Sequence, residues 1–131
     1  MILLDTHVWV WWAGAPQLLS APARRAIDEA AAEGAVGVSS ISAWEVGMLV
    51  AKGRLELTMG VEEWVAKSEA IPFLRFLPVD NSVALRSVLL PGVLHPDPAD
   101  RIIVATALEQ QVGLVTKDER LQAYRYVRTI W

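Results

Sequence analysis

The stretch from residue 97 to residue 118, DPADRIIVATALEQQVGLVTKD, contains the signals that decide the fold. Its first two residues are typical of a helix start, and helix-forming residues follow as far as Leu108. The apolar run Val112–Thr116 is typical of a short buried strand, and a short helix is predicted from Asp118 to about Tyr124. A helix that leads into a buried strand and a second helix predicts an α/β unit.

The same alternation of strands and helices extends over the rest of the chain. Four further strands are predicted, at Ile2–Leu4, Ala35–Val38, Phe76–Val79 and Tyr126–Ile130. The other main helices are predicted to begin with Ser20 as N-cap, at Ser39 or Ser40, near Val61, and with Asn81 or Ser82 as N-cap. Since no linker or repeat interrupts this pattern, we expect one α/β domain over residues 1–131, with a parallel sheet covered by helices on both faces.

Composition and charge exclude several classes of protein. The chain has 131 residues, of which 53% are apolar, and a formal net charge of −3, values that exclude a disordered chain. It has no cysteine, so disulfide scaffolds and cysteine-based chemistry are excluded. No uncharged apolar run approaches ~18 residues, and the first residues, MILLDTHVWVWW, lack the basic leader of a signal peptide. We therefore expect a cytoplasmic protein with no membrane contact.

Four acidic residues are predicted to lie at one edge of the sheet. Asp5 directly follows the first strand, and Glu45 lies in the first turns of the helix after the second strand. Asp100 lies in the first turn of its helix, and Asp118 comes two residues after the strand that ends at Thr116. Because ligands of parallel α/β sheets bind at the carboxyl ends of the strands, these four side chains are candidates for a shared site.

A group of carboxylates without cysteine or a histidine pair favours divalent-cation chemistry. Neighbouring carboxylates raise one another's pKa by repulsion, and a hard cation such as Mg²⁺ or Mn²⁺ removes that cost. Such a cation polarises a phosphoryl oxygen and activates water, so phosphodiester hydrolysis is the expected reaction.

Each of these carboxylates also has a purely structural interpretation. Ser42–Glu45 and Thr116–Glu119 both fit the pattern of a capping box at a helix start. Asp97 fits an N-cap that would place Asp100 in the first turn, where the helix dipole favours negative charge. Asp5 fits the turn after a strand. The two interpretations are compatible, because a helix N-terminus can hold a ligating carboxylate in place, and the spacing does not choose between them.

The sequence resembles PIN-domain ribonucleases, specifically the VapC-type toxins of toxin–antitoxin pairs. The matching segments are ILLDTHVWVWW, VSSISAWEVGMLVAKGRLEL, LHPDPADRIIVATAL and GLVTKDERLQAY, and with the helices between them the resemblance covers almost the whole chain. It implies a PIN-like domain with the sheet order 3-2-1-4-5. It also implies a Mg²⁺- or Mn²⁺-dependent RNA endonuclease that acts as a toxin, is bound by a cognate antitoxin protein, and forms a homodimer.

The resemblance implies roles for individual residues. The family has four acidic residues that bind metal and act in catalysis, and they match four residues of this chain: Asp5, Glu45, Asp100 and Asp118. Asp5 and Asp100 would hold the principal cation, and the other two would complete the shell or hold a second ion. The RNA products would carry 5′-phosphate and 3′-hydroxyl ends.

Supporting roles are expected for residues beside the quartet. Asp97 is expected either to assist through a water or only to cap its helix. Thr116 is expected either to orient a ligand or a water, or only to cap the next helix. Arg101 and Lys117 are predicted phosphate contacts. The two histidines, His7 and His95, are predicted to lie in the first turn after Asp5 and in a loop.

Two alternative functions remain open at this point. A receiver-like, Mg²⁺-binding phosphoacceptor domain would use Asp80 as the phosphoacceptor and Lys117 as its late lysine. That class expects an acidic pair after the first strand, where only Asp5 is present. The second alternative is a PIN nuclease that processes RNA and is not a toxin.

The net charge bears on the RNA interpretation. A value of −3 argues weakly against a general nucleic-acid binder. Leaving the four predicted ligands out of the count changes the formal charge to +1. We therefore expect RNA binding to be local to the site and to weaken when the metal is chelated.

Overall fold

A computed structural model describes all residues, 1–131, and contains five strands and seven α-helices. The strands are β1 (Ile2–Leu4), β2 (Val36–Ser39), β3 (Leu74–Leu77), β4 (Gly113–Val115) and β5 (Thr129–Ile130). The helices are α1 (Thr6–Gly14), α2 (Ala21–Ala32), α3 (Ser40–Ala51), α4 (Val61–Glu69), α5 (Asn81–Val88), α6 (Pro98–Gln110) and α7 (Glu119–Gln122). A short 3₁₀ helix, Pro16–Leu18, connects α1 to α2.

The five strands form one parallel sheet in the order β3-β2-β1-β4-β5, which confirms the predicted order. The register places Leu3 of the central strand opposite Gly37 on one side and Leu114 on the other. A receiver-type domain has the order 2-1-3-4-5, with its third strand beside the first. Here β3 is an edge strand and Asp80 caps α5 by accepting the N–H of Val83 at 2.9 Å, so the phosphoacceptor alternative is wrong for this fold.

Helices cover both faces of the sheet because successive side chains of β1 point to opposite sides. Ile2 and Leu4 belong to a core formed with α1, α2 and α4, in which Trp9 is fully buried. Leu3 belongs to a second core formed with α5, α6 and α7, in which Ile103 is fully buried. The α/β class with helices on both faces is therefore confirmed.

Trp9 fastens α1 to the rest of the first core. Its ring lies 4.5 Å from that of Trp64 and 5.3 Å from that of Phe76, measured between ring centroids. Its indole N–H donates to the hydroxyl oxygen of Ser68 at 3.1 Å, which satisfies the single polar atom of a buried side chain. This packing fixes α1, and with it the turn at the end of β1.

Two predicted strands differ from the structure by more than one residue, whereas β2 and β4 differ by one residue at each end. β3 begins at Leu74 instead of Phe76, because Leu74 is buried and pairs with Val36 of β2. It ends before Pro78, which has no N–H to give to a neighbouring strand. β5 is shorter than predicted because the residues before Thr129 form a turn in which the Val127 N–H donates to the Tyr124 carbonyl at 3.4 Å.

The helix starts follow side-chain caps. Ser20 caps α2, as predicted, and Ser39 caps α3 by accepting the N–H of Ile41 at 3.2 Å. α5 is capped by Asp80 instead of by Asn81 or Ser82. None of the helices has the length and apolar character needed to span a membrane.

Candidate active site

The carboxyl ends of β1, β2 and β4 meet at one edge of the sheet, and this edge carries the candidate site. The three strands are direct neighbours, so the residues that follow them lie side by side. Asp5 follows β1, α3 with Glu45 begins directly after β2, and Asp118 lies just beyond β4. Asp100 enters from the first turn of α6. The topology thus brings the four acidic residues together from positions 5 to 118 of the chain.

Asp5 is almost completely buried, with 3% of its surface exposed. Its Oδ1 accepts the N–H of Thr6 at 2.8 Å and caps α1, and its Oδ2 accepts the hydroxyl of Thr116 at 2.6 Å. No Lys or Arg forms an ion pair with this carboxylate. Because a buried charge is normally paired or bound to a metal, the surroundings of Asp5 fit a bound cation.

Glu45 lies one turn inside α3 and is held by the start of α1. The Thr6 hydroxyl is 2.5 Å from Glu45 Oε1 and 2.8 Å from Ser42 Oγ. Burial raises the pKa of Glu45; the hydrogen bond from Thr6 lowers it, and the charges of Asp5 and Asp97 raise it further. The predicted Ser42–Glu45 capping box is wrong, because Ser39 caps α3 and Ser42 is fully buried inside it.

Asp100 is the carboxylate most affected by its neighbours. Burial, as the largest cause, and the charges of Asp5, Asp97, Glu45 and Asp118 together raise its pKa from 3.8 to about 7. Its side chain is 14% exposed, and its Oδ2 lies 3.1 Å from the imidazole Nε2 of His95. Asp100 thus lies close enough to the other acidic side chains for the charge of each to raise its pKa.

Asp118 is held by an arginine from its own helix. Its Oδ2 lies 3.0 Å from Arg120 Nη2, which is also 3.7 Å from Asp100 Oδ2. Burial alone would raise the pKa of Asp118, but hydrogen bonds from the side chain and backbone of Arg120 and the backbone of Leu121 lower it. The predicted Thr116–Glu119 capping box is wrong, because Asp118 itself caps α7 by accepting the Arg120 N–H at 2.8 Å.

The donor set fits a hard divalent cation. All four acidic side chains offer oxygen, the ligand atom that Mg²⁺ and Mn²⁺ prefer, and a cation would relieve the repulsion that raises the pKa of Asp100. No three acidic or histidine side chains form a ready-made metal shell. Mg²⁺ does not require one, because it keeps several waters and is commonly held by one or two carboxylates.

The two predicted phosphate contacts have different surroundings. Arg101 does not point into the site: its guanidinium donates to the carbonyls of Ser87 and Leu94, both at 2.9 Å, and to that of Val88 at 3.5 Å. The prediction for Arg101 is therefore wrong, because the open carbonyls at the end of α5 and in the following loop already bind its donors. Lys117 is exposed, with its Nζ 5.7 Å from the ring centroid of Trp11.

Sequence reasoning missed three contacts in this site. Thr6 follows Asp5 directly, but its hydroxyl reaches Glu45, 39 residues away. Arg120 reaches both Asp118 and Asp100, and His95, predicted to lie in a loop, is 3.1 Å from Asp100. For Arg120 a local signal existed, since an arginine two residues after an N-cap carboxylate lies within reach of it.

Asp97 caps α6, as one of its two predicted roles requires. Its Oδ1 accepts the N–H of Asp100 at 3.0 Å, and Pro98 follows at the first helical position. We expect Asp97→Ala to lower the free energy of unfolding by about 1 kcal/mol, and Asp97→Asn, which keeps an acceptor, to change it by less than about 0.5 kcal/mol. Urea denaturation of the metal-free protein measures both values. Equal losses in the two variants would contradict the capping role.

Comparison with known proteins identifies the family. A family model described as PIN domain matches residues 2–126. The chain belongs to the PIN-domain family. Ribonuclease VapC22 from Mycobacterium tuberculosis is 39% identical to it over 132 residues, which cover 99% of this chain and 98% of that protein.

Solved structures share this PIN fold. VapBC2 from Rickettsia felis, bound to a DNA fragment from its promoter, matches with a TM-score of 0.72 and 15% identity, over 98% of this chain and 97% of that one. A toxin–antitoxin complex from Klebsiella pneumoniae matches with a TM-score of 0.60 and 22% identity, over 97% of this chain and 95% of that one. At 22% and 15% sequence identity, this structural similarity is evidence for a shared fold alone.

Proposed function

We propose that this chain is a metal-dependent endoribonuclease of the VapC type, acting in the cytoplasm as the toxin of a toxin–antitoxin pair. One observation carries the proposal: the four carboxylates of a chain 39% identical to Ribonuclease VapC22 converge at the carboxyl edge of the sheet. The single domain over residues 1–131 contains the whole group. The reaction is hydrolysis of an RNA phosphodiester bond.

Mg²⁺ or Mn²⁺ would be held by Asp5 and Asp100, with Glu45 and Asp118 completing the oxygen ligands. A divalent cation in such a site supplies Lewis-acid polarisation of the phosphoryl oxygen and a water of lowered pKa. The carboxylates must be ionised to bind it. The raised pKa of Asp100 therefore makes metal binding weaker below about pH 7, because a proton then competes for the same oxygens.

The hydroxyl groups of the site hold two of the carboxylates. The Thr116 hydroxyl donates to Asp5 and the Thr6 hydroxyl to Glu45, at 2.6 and 2.5 Å. Both hydrogen bonds cross between separate elements of the fold, so they fix the carboxylates relative to each other before any substrate binds. Preorganisation of this kind is what ligand-orienting contacts contribute to a metal site.

We expect two exposed basic side chains to contact the RNA backbone. Arg120 is 63% exposed and already lies at Asp118 and Asp100, so its guanidinium is available to a phosphate that approaches the carboxylates. Lys117 directly precedes Asp118 and is exposed. Because the rest of the chain has little net charge, we expect attraction for the RNA backbone to come from these basic residues at the site.

Protein partners are proposed from the resemblance and from exposed apolar surface. We expect a homodimer and a cognate antitoxin, and one similar solved structure is a toxin–antitoxin complex. The most exposed large apolar side chains lie at the end of α5 and in the loop after it: Leu85, Val88, Leu89 and Val93. Such a patch is typical of a protein interface.

The proposal is tested by incubating the purified protein with RNA and Mg²⁺ or Mn²⁺, with and without a chelator. We expect cleavage that stops on chelation and products with 5′-phosphate and 3′-hydroxyl ends, because hydrolysis breaks the bond to the 3′ oxygen. No cleavage with either metal, or cleavage undiminished by the chelator, would contradict it.

A second experiment separates a toxin from a PIN nuclease of RNA processing. Expression of the wild-type chain should arrest growth, and coexpression of the protein encoded beside it should restore growth. Cleavage in vitro without growth arrest would favour the processing nuclease.

A further inference from the structure

His95 lies in the loop that precedes α6, beside the candidate metal site. It lies between Leu94 and Pro96, two residues before the N-cap of α6, and its side chain is 15% exposed. Its Nε2 has no exposed surface and makes no well-aligned hydrogen bond. The nearest ionisable group is the Asp100 carboxylate, whose Oδ2 is 3.1 Å from this nitrogen. A buried nitrogen in this position calls for a partner, and Asp100 is within reach.

The other ring nitrogen determines where the proton lies. His95 Nδ1 accepts the backbone N–H of Asp97 at 3.4 Å, so it carries no hydrogen in the neutral ring. The hydrogen of the neutral imidazole is then on Nε2, which faces Asp100 Oδ2. Leaving a buried N–H without an acceptor costs about 1–3 kcal/mol. Asp100 Oδ2, 3.1 Å away, is the acceptor within reach of this N–H.

We propose that His95 is a positioning residue for metal binding, whose Nε2–H donates to Asp100 Oδ2 and fixes the orientation of that carboxylate. The contacts of His95 and of Arg120 both fall on Oδ2. Two nitrogen-bearing side chains therefore approach the same carboxylate oxygen, at 3.1 and 3.7 Å. Mutation of a group that orients a metal ligand in this way typically lowers metal affinity or activity by about 10- to 100-fold. The inference rests on the proposed function, since it takes Asp100 to be a ligand.

His7 provides an internal comparison. Its Nε2 accepts the backbone N–H of Lys117 at 3.3 Å, and its Nδ1 lies 3.5 Å from Asp5 Oδ2. The hydrogen of neutral His7 is therefore expected on Nδ1, the opposite tautomer from His95. As these are the chain's two histidines, their ¹⁵N chemical shifts can be assigned and compared directly.

The first test reads the tautomers by ¹H–¹⁵N correlation spectroscopy on the metal-free wild-type protein at a pH where both rings are neutral. We expect protonated Nε2 and bare Nδ1 for His95, and the reverse for His7. A His95 ring protonated on Nδ1 would overturn the inference, whatever the enzyme does with RNA.

The second test measures Mn²⁺ binding by calorimetry for wild type, His95→Leu and His95→Gln. Leu removes the donor at similar volume, whereas the side-chain amide of Gln places an N–H near the position of Nε2. We expect His95→Leu to bind Mn²⁺ about 10- to 100-fold more weakly, and His95→Gln to bind within a few-fold of wild type. Thermal unfolding of the metal-free variants shows whether the fold is intact.

The outcomes separate the inference from the function on which it rests. Wild-type Mn²⁺ affinity in His95→Leu, or an equal loss in both folded variants, would overturn the positioning role while leaving the nuclease proposal in place. Absence of Mn²⁺ binding by the wild-type protein would overturn the metal site itself, and with it both proposals.

Discussion

Replacing Asp100 by Asn is expected to lower the rate of RNA cleavage by at least about 10³-fold, equivalent to about 4 kcal/mol of transition-state stabilisation. Asn keeps the size of the side chain and a carbonyl oxygen for His95 but removes the negative charge that a divalent cation needs. Asp100 interacts with every other carboxylate of the group, so its loss weakens the site as a whole. Cleavage of a fluorescent RNA in Mg²⁺ measures the effect.

The same substitution should stabilise the metal-free protein. The pKa of Asp100 is raised from 3.8 to about 7 by burial first and by its acidic neighbours second. A raised pKa means that the folded state holds the proton more tightly than the unfolded chain, so this stabilisation is complete below about pH 4 and lost progressively as the pH rises to about 7. Asn cannot ionise. The stability advantage of Asp100→Asn should therefore grow between these pH values and stay constant above them.

Denaturant unfolding in the presence of a chelator, at a series of pH values, measures this advantage. The matched control is Asp80→Asn, which makes the same change at the N-cap of α5 and keeps a capping acceptor. It should retain RNA cleavage and show no comparable growth in stability with pH. Full activity of Asp100→Asn, or a stability difference that shrinks as the pH rises, would contradict the assigned role of Asp100.

Replacing Thr116 by Val should lower RNA cleavage about 10- to 100-fold and reduce the free energy of unfolding by about 1–3 kcal/mol. Thr116 is fully buried, and its hydroxyl has two partners. It donates to Asp5 Oδ2 at 2.6 Å and accepts the N–H of Asp118 at 3.0 Å. Val has the same shape without the hydroxyl, so the buried Asp5 carboxylate and the Asp118 N–H both lose a hydrogen bond.

Thr116→Ser is the matched control, because it retains the hydroxyl and loses only a methyl group. It should keep cleavage within a few-fold of wild type and fold with a smaller loss of stability. The two variants are compared by RNA cleavage and by urea denaturation. If Val and Ser lowered activity to the same extent, packing by the methyl group would explain the effect and the hydroxyl would have no orienting role.

The predictions that succeeded rest on local signals. Strands β1 and β4 stand out as short apolar runs, and the polar residue that ends each of them, Asp5 or Thr116, is placed at the sheet edge by chain order alone. Asp97 is recognisable as a cap because the acceptor, the proline and the first turn are adjacent in sequence. The strand order itself came from the resemblance to PIN domains.

The predictions that failed concern choices between nearby candidates or directions of long side chains. The spacing from Ser42 to Glu45 suits a capping box, but Ser39 is the cap of α3 because β2 extends to it. Arg101 follows a predicted ligand but points the other way, because the carbonyls at the end of α5 lie within reach. Neither result can be predicted from the sequence alone, because both depend on which elements pack beside these residues.

The sequence alone determined which residue types reach the edge of the sheet: four carboxylates at the ends of apolar segments, in a chain without cysteine. These positions can be predicted because strand formation and burial depend largely on residues that are close together in the sequence. Only the tertiary structure decided how the carboxylates are held, through Thr6 to Glu45 across 39 residues and Thr116 to Asp5 across 111. Hydrogen bonds act over about 3 Å, so these partners depend on how strands and helices pack.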